Sequence, residues 1–172
     1  MKRFLLLFLA IPLIASVNFT ASLGMFAPSA EYFKSVYGNP IINFAAEGEF
    51  SFGIASLFAG VDFIKKGGQL TYTKEDVNLT MIPVSAGVRL HLVKFFFIDG
   101  GFGNWFYKEK ASFSEESGTA TGFFVGAGAK FNFIPGKYFR IRVKYSRAKK
   151  TENNFESDLS GLQGEVGVGF SF

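Results

Sequence analysis

Glu47 and Glu49 are two carboxylates two residues apart, and His91 is the single imidazole of the chain. These are the first side chains to test for proton chemistry. On an extended strand, positions i and i+2 share a face ~6.5–7 Å apart, a spacing an acid–base couple could use. A structural reading competes with it. Arg140, Arg142 and Lys144 repeat at the same spacing, and ions of opposite sign facing each other out of water form a salt-bridge network. His91 has Ser85 six residues behind it on the same extended run. That is ~20 Å at strand rise, beyond hydrogen-bond reach, so His91 reads as a packed or interfacial polar residue. The chain has no cysteine, which removes thiol nucleophiles, and a lone histidine cannot build a His/Cys zinc centre. The runs DGGFG (99–103) and GAGAKF (126–131) match no phosphate-binding loop. No cofactor or metal is expected.

These residues sit on elements with a period of two. Val17, Phe19, Ala21, Leu23 and Met25 alternate with Asn18, Thr20, Ser22 and Gly24. The same alternation returns over 42–52, 55–63, 82–92, 121–133, 139–145 and 165–172. Because strand side chains point alternately to opposite faces, each run has one apolar face. In 95–107, aromatics stand at both parities; Phe96, Ile98, Gly100, Phe102 and Phe106 are assigned to the apolar face and Asp99, Gly101, Gly103 and Trp105 to the other. Pro83 lacks a ladder donor, so a bulge is expected there, which would also bring Leu79 and Met81 into register. Eight strands of about 7 to 13 residues follow. The connections at Phe52-Gly53-Ile54, Leu92-Val93-Lys94 and Ile134-Pro135-Gly136 are tight, whereas 28–40, 66–77, 108–118 and 147–160 are long and polar. Alternating short and long connections describe an up-and-down antiparallel meander. Within the first long loop, residues 34–37 could form a helical turn, and 69–74 could extend the third strand.

The polar face decides which side meets solvent. It carries the acids Glu47, Glu49, Asp62, Asp99 and Glu165 and the bases Arg89, Lys130, Arg140, Arg142 and Lys144, set among glycine, serine, threonine and asparagine. A wet outer surface avoids glycine in strands, whereas balanced charge with glycine suits the narrow interior of an eight-stranded barrel. The apolar face carries Phe52, Phe106, Phe133, Phe139, Tyr145 and Phe172 near strand ends, as interfacial girdles do. The expected fold is therefore all-β, an eight-stranded antiparallel up-and-down transmembrane β-barrel. A soluble lipocalin-like carrier is the inverted alternative, with Phe131 and Val166 in its core.

The chain opens MKRFLLLFLAIPLIASVNF. Lys2 and Arg3 form a basic start, residues 4–14 an apolar stretch, and Ala15 and Ser16 small residues fit for cleavage, the pattern of a secretory signal. The 14-residue apolar run 4–17 contains Pro12 and falls short of the ~20 residues a spanning helix needs. Residues 1–16 are read as signal peptide and 17–172 as one barrel domain. The 172-residue chain holds 24 Phe and 20 Gly, and its net charge of +4 is too weak a bias for nucleic-acid binding.

The ending EVGVGFSF has a polar residue, a glycine two on, and an aromatic-x-aromatic terminus: Glu165, Gly167, Phe170 and Phe172. It resembles the C-terminal signature of bacterial outer-membrane barrels. FAPSAEYFKSVYG and KKGGQLTYTKEDVNLTMIPVSAGVRL are similar to stretches in the outer membrane protein beta-barrel domain family, with its small OmpA/OmpX-like barrels. The resemblance implies an outer-membrane location, recognition of the terminal motif by the barrel-assembly machinery, and contact with outer-membrane lipid and lipopolysaccharide. Lys65, Lys66, Lys149 and Lys150 are the candidate lipopolysaccharide contacts or simply solvated. Four functions follow as expectations. A non-enzymatic barrel for envelope structure or surface contact leads. A narrow porin-like pore or lumenal solute binder, the lipocalin-like carrier, and a lipid-modifying enzyme built on His91 and a serine are the alternatives.

Overall fold

A computed structural model of the chain describes residues 15–70, 74–93, 95–112, 114–152 and 155–172. The read leader lies outside these residues except for Ala15 and Ser16. The strands are β1 (Ala15–Pro28), β2 (Ile41–Phe52), β3 (Ala55–Gln69), β4 (Asp76–His91), β5 (Phe96–Ala111), β6 (Glu115–Ile134), β7 (Lys137–Glu152), β8 (Phe155–Asp158) and β9 (Gly161–Ser171), with one helix, α1 (Glu31–Tyr37), after β1. Each of β1 to β7 pairs antiparallel with the next, β7 pairs with β9, and β9 returns to β1. The sheet is closed. β8 pairs only with β7 and extends the last stave beyond the wall, so the barrel has eight staves. Closure gives the wall's backbone donors and acceptors partners within the protein, the condition for crossing lipid without helices.

The turns at one end are tight. Gly53 and Gly136 take φ of +63° and +73° there, a region open to glycine at no steric cost. At the other end the chain departs from the sequence reading. The polar stretches 108–118 and 147–160 are mostly strand, and 66–77 begins and ends as strand: β3 runs to Gln69, β4 starts at Asp76, β5 runs to Ala111 and β7 to Glu152. Their outward residues turn hydrophilic while pairing continues, because polarity marks the exit from lipid and not the end of the ladder. Lys65 pairs with Thr80, Thr80 with Lys108, and Lys108 with Ser117.

No bulge forms at Pro83. The β3–β4 register is the same on both sides of it, from Val61↔Val84 to Ile64↔Met81, and Pro83 itself pairs with Trp105 on β5. The missing donor costs local pairing on the β3 side only. Among the described residues, a register shift falls instead between Asn132 and Ile134, beside the β6–β7 turn. Leu79 and Met81 need no bulge, because they point inward into an apolar layer.

The wall's outside is greasy. Phe19, Leu23, Phe44, Val125, Val143 and Val168 are all exposed. On β1 the outward apolar run from Val17 to Met25 is about the nine residues a spanning strand needs. The lipocalin-like alternative fails on this point, since Phe131 and Val166 are outward and exposed. The inside has two layers. Toward the long-hairpin end, Phe26, Ile64, Leu79, Met81 and Trp105 form an apolar plug with Phe33, Val36 and Tyr37 of α1. Toward the tight turns, the interior is ionic. α1 starts at Ala30 without a side-chain cap and ends at Gly38, φ +76°. Tyr32 donates to Glu109 Oε1 at 3.2 Å, tying the helix to β5, and burial pushes the Tyr37 phenol up. The helix is longer than the expected turn because its Phe33, Val36 and Tyr37 face finds the plug to bury against.

Candidate functional site

The strand parity places the ionic residues. Glu47 and Glu49 on β2, Asp62 on β3, Arg89 on β4, Asp99 on β5, Arg140, Arg142 and Lys144 on β7 and Glu165 on β9 all point inward and are buried. Arg89 sits between three acids. Its Nη1 donates to Glu47 Oε1 at 2.8 Å and to Glu49, and its Nη2 donates to Asp99 Oδ2 at 2.9 Å. Glu47 accepts from three arginines: Arg89, Arg140, and Arg142 at 3.1 Å. Arg142 also reaches Asp99 Oδ1 at 3.0 Å. Lys144 Nζ donates to Asp62 Oδ2 at 3.0 Å and lies 3.6 Å from Glu165, whose other oxygen is 3.5 Å from Arg140. Nine of the ten sequence-read charges thus form one buried lattice in which every charge has an opposite neighbour. Such a lattice stands only while complete, because removing one partner leaves a buried charge alone.

Lys130, the tenth, is apart. It is half-buried, donates to Asn18 Oδ1 at 3.3 Å and lies 3.9 Å from the centre of the Tyr138 ring. Among the described residues no carboxylate lies within salt-bridge distance of it.

Aromatic side chains complete the lattice, and the sequence reading passed over them. Arg89 is sandwiched at 4.6 Å from the Phe58 ring centre and 4.4 Å from that of Phe97. Arg142 lies 5.3 Å from Phe58 and 5.5 Å from Phe124. A desolvated guanidinium over a ring face gains cation–π attraction. Gln163 was also missed; it donates to Asp62 at 2.7 Å and to Glu165 at 2.8 Å. Parity was the available signal, since Phe58 stands two residues from both Ser56 and Gly60. The inward glycines make the room. A Cβ on Gly128 would run into the Phe97 ring, and one on Gly169 into the Tyr138 ring.

The lattice leaves little space. The pocket between Glu47, Asp62, Arg140, Arg142 and Glu165 has ≈10 Å³, room for about one water at most. Below it, at the tight-turn end, lies an open vestibule of ≈870 Å³. His91 is at its edge. Its Nε2 is 3.1 Å from Ser56 Oγ and 3.5 Å from Glu49 Oε1. The serine near His91 is therefore Ser56 and not Ser85, and serine and carboxylate meet the same ring nitrogen. A nucleophile–base–acid relay needs them on opposite nitrogens.

The terminal motif divides between the two faces. Glu165 belongs to the lattice and Gly167 faces Ser22, while Phe170 and Phe172 are exposed on the outer wall. Phe172 packs edge-on against Phe19, ring centres 6.4 Å apart. Lys65, Lys108, Lys110 and Arg147 are exposed beyond the apolar band.

Known proteins repeat this architecture. The family model described as outer membrane protein beta-barrel domain matches residues 15–172. Among solved structures, Ail of Yersinia pestis in complex with the heparin analogue sucrose octasulfate is 17% identical, with 92% of this chain and 97% of that chain covered and a TM-score of 0.59. OprG of Pseudomonas aeruginosa is 10% identical over 93% and 97% of the two chains, TM-score 0.63. Neisserial surface protein A is 14% identical over 92% and 97%, TM-score 0.55. No curated protein matches the sequence at a significant level.

Proposed function

The chain belongs to the outer membrane protein beta-barrel domain family and resides in the bacterial outer membrane, and on that footing we propose that it is a non-enzymatic closed barrel, serving envelope structure and surface contact through its long hairpins. The observation that carries this is the doubly sealed bore. An ion lattice whose pocket has ≈10 Å³ lies under an apolar plug, and this packing among the described residues argues against the narrow-pore reading. The shared ring nitrogen at His91 likewise argues against a hydrolase. Planar-bilayer recording tests the proposal: the refolded barrel is expected to stay silent across salt conditions, and reproducible unitary conductance would favour the pore.

Residues 1–16 are proposed as the export signal, and Glu165, Gly167, Phe170 and Phe172 as the stretch the barrel-assembly machinery recognises. The cations above the apolar band suit lipopolysaccharide phosphates. On three ascending staves a basic residue follows two places after the last lipid-facing aromatic: Phe63 and Lys65, Phe106 and Lys108, Tyr145 and Arg147. Lys108 is shared with Glu115 at 2.6 Å, which supports contact tuned by local charge over indiscriminate polyanion capture.

A further inference from the structure

The vestibule at the tight-turn end is not absorbed by a closed-barrel role. In this architecture the short turns face the periplasm. The cavity of ≈870 Å³ is within the size range of small-molecule sites. Its described lining includes one charged side chain, Lys130, and no acidic one.

Lys130 is held in place. Its ammonium sits on the Tyr138 ring at 3.9 Å and donates once, to Asn18 Oδ1. Tyr138 is itself pinned, its hydroxyl 2.6 Å from Thr20 Oγ1. Asn18 is fixed by donating to Ser51 Oγ at 2.9 Å and to Glu49 Oε1 at 3.4 Å. An ammonium has three donors, so two remain for a ligand. Glu49 is the nearest acid to this floor, and it is already occupied by Arg89, Ser51, Asn18 and His91. Around the cation, Asn132, Ser51, Ser171 and His91 line the cavity with amide, hydroxyl and imidazole groups. They suit the hydroxyl and amide groups of a hydrophilic solute.

We propose that the vestibule binds a carboxylate-bearing sugar from the periplasmic side, its carboxylate on Lys130 and its hydroxyl and amide groups on the polar rim. The shared chemistry is the sugar carboxylate, which a free sugar acid carries, as does cell-wall glycan once its muramic carboxyl groups are freed from the amide bond to peptide. The floor is sealed by the ion lattice, so the site receives and does not transmit.

The test uses the folded mature barrel in detergent, followed by calorimetry and amide chemical shifts. N-acetylmuramic acid is the acidic probe, N-acetylglucosamine its neutral counterpart, inorganic phosphate the anion without a sugar, and amidase-released, peptide-free glycan strands the polymer arm. Saturable binding of N-acetylmuramic acid is expected, with shifts at residues 17–18 and 130–132. Lys130→Met should weaken it about tenfold or more, the worth of a charge-assisted hydrogen bond, while Lys130→Arg should retain it. Asn132→Asp, on the exposed rim and clear of the floor, should also weaken it, which keeps the test available if Lys130→Met does not fold. Binding of the peptide-free glycan strands would identify the polymer as source, and binding of the free acid alone would identify the solute. Equal binding of N-acetylglucosamine, binding of phosphate alone, indifference to both Lys130→Met and Asn132→Asp, or no saturable binding would each overturn the proposal. A conducting barrel that still bound the acid would contradict the closed-bore reading and leave this one standing.

Discussion

Arg89 is the residue on which the ion lattice turns. It is 1% exposed and meets Glu47, Glu49 and Asp99 between the rings of Phe58 and Phe97. Arg89→Met keeps much of the volume but removes a guanidinium shared by three acids; Glu47 and Asp99 keep Arg140 and Arg142, while Glu49 loses its one arginine among the described residues. It should destabilise the barrel by roughly 3–5 kcal/mol, the cost of breaking a buried pair from one side, read from urea unfolding in lipid vesicles. Gly169→Val should also be destabilising, because its side chain would occupy the place of the Tyr138 ring; refolding yield on a cold detergent gel would show it. The charged members of the lattice were legible from residue parity alone, because an ion in a strand must face away from lipid. Phe58, Phe97 and Phe124 were not. Phenylalanine is at home on both faces of this wall, so its type says nothing about direction and only its position in the alternation does.

At the scale of elements, the strands were legible where lipid enforces the alternation and were read too short where it does not. Above the apolar band, β3 to β7 keep pairing through residues whose outward members are Lys65, Thr80, Lys108 and Ser117. Composition there resembles a loop. The apolar plug was hidden for a related reason: Val77, Leu79 and Met81 are buried inside, but a barrel interior read as uniformly polar gives them no place. α1 seats on β3 at Gly68, where a Cβ would meet the Val36 carbonyl and the Tyr37 ring. Gly68→Val should therefore lift the helix while leaving the wall closed. Limited proteolysis should show new cleavage within residues 29–40, with the heat-modifiable gel shift of the barrel retained.

For the whole molecule, one geometric decision organises the rest: apolar residues outward, ions and glycines inward. Closure of β1 against β2 and β9 makes that decision the same all the way round. A charge on the outer wall should then be costly in a way set by depth. Val168→Arg, exposed between Ala21 and Phe139, should cost about 2–4 kcal/mol in lipid vesicles if it lies near the midplane. A soluble barrel would accept the same change on its surface within about half a kcal/mol.

The chain has no cysteine, so single cysteines report without background. Nitroxides placed in turn at Phe19, Thr20, Ala21, Ser22 and Leu23 in lipid vesicles, with collision rates measured against oxygen and a water-soluble nickel chelate, address the central claim directly. The account predicts period two: strong oxygen and weak nickel collisions at Phe19, Ala21 and Leu23, and weak collisions with both at Thr20 and Ser22. Strong nickel collisions at Phe19, Ala21 and Leu23 would contradict it.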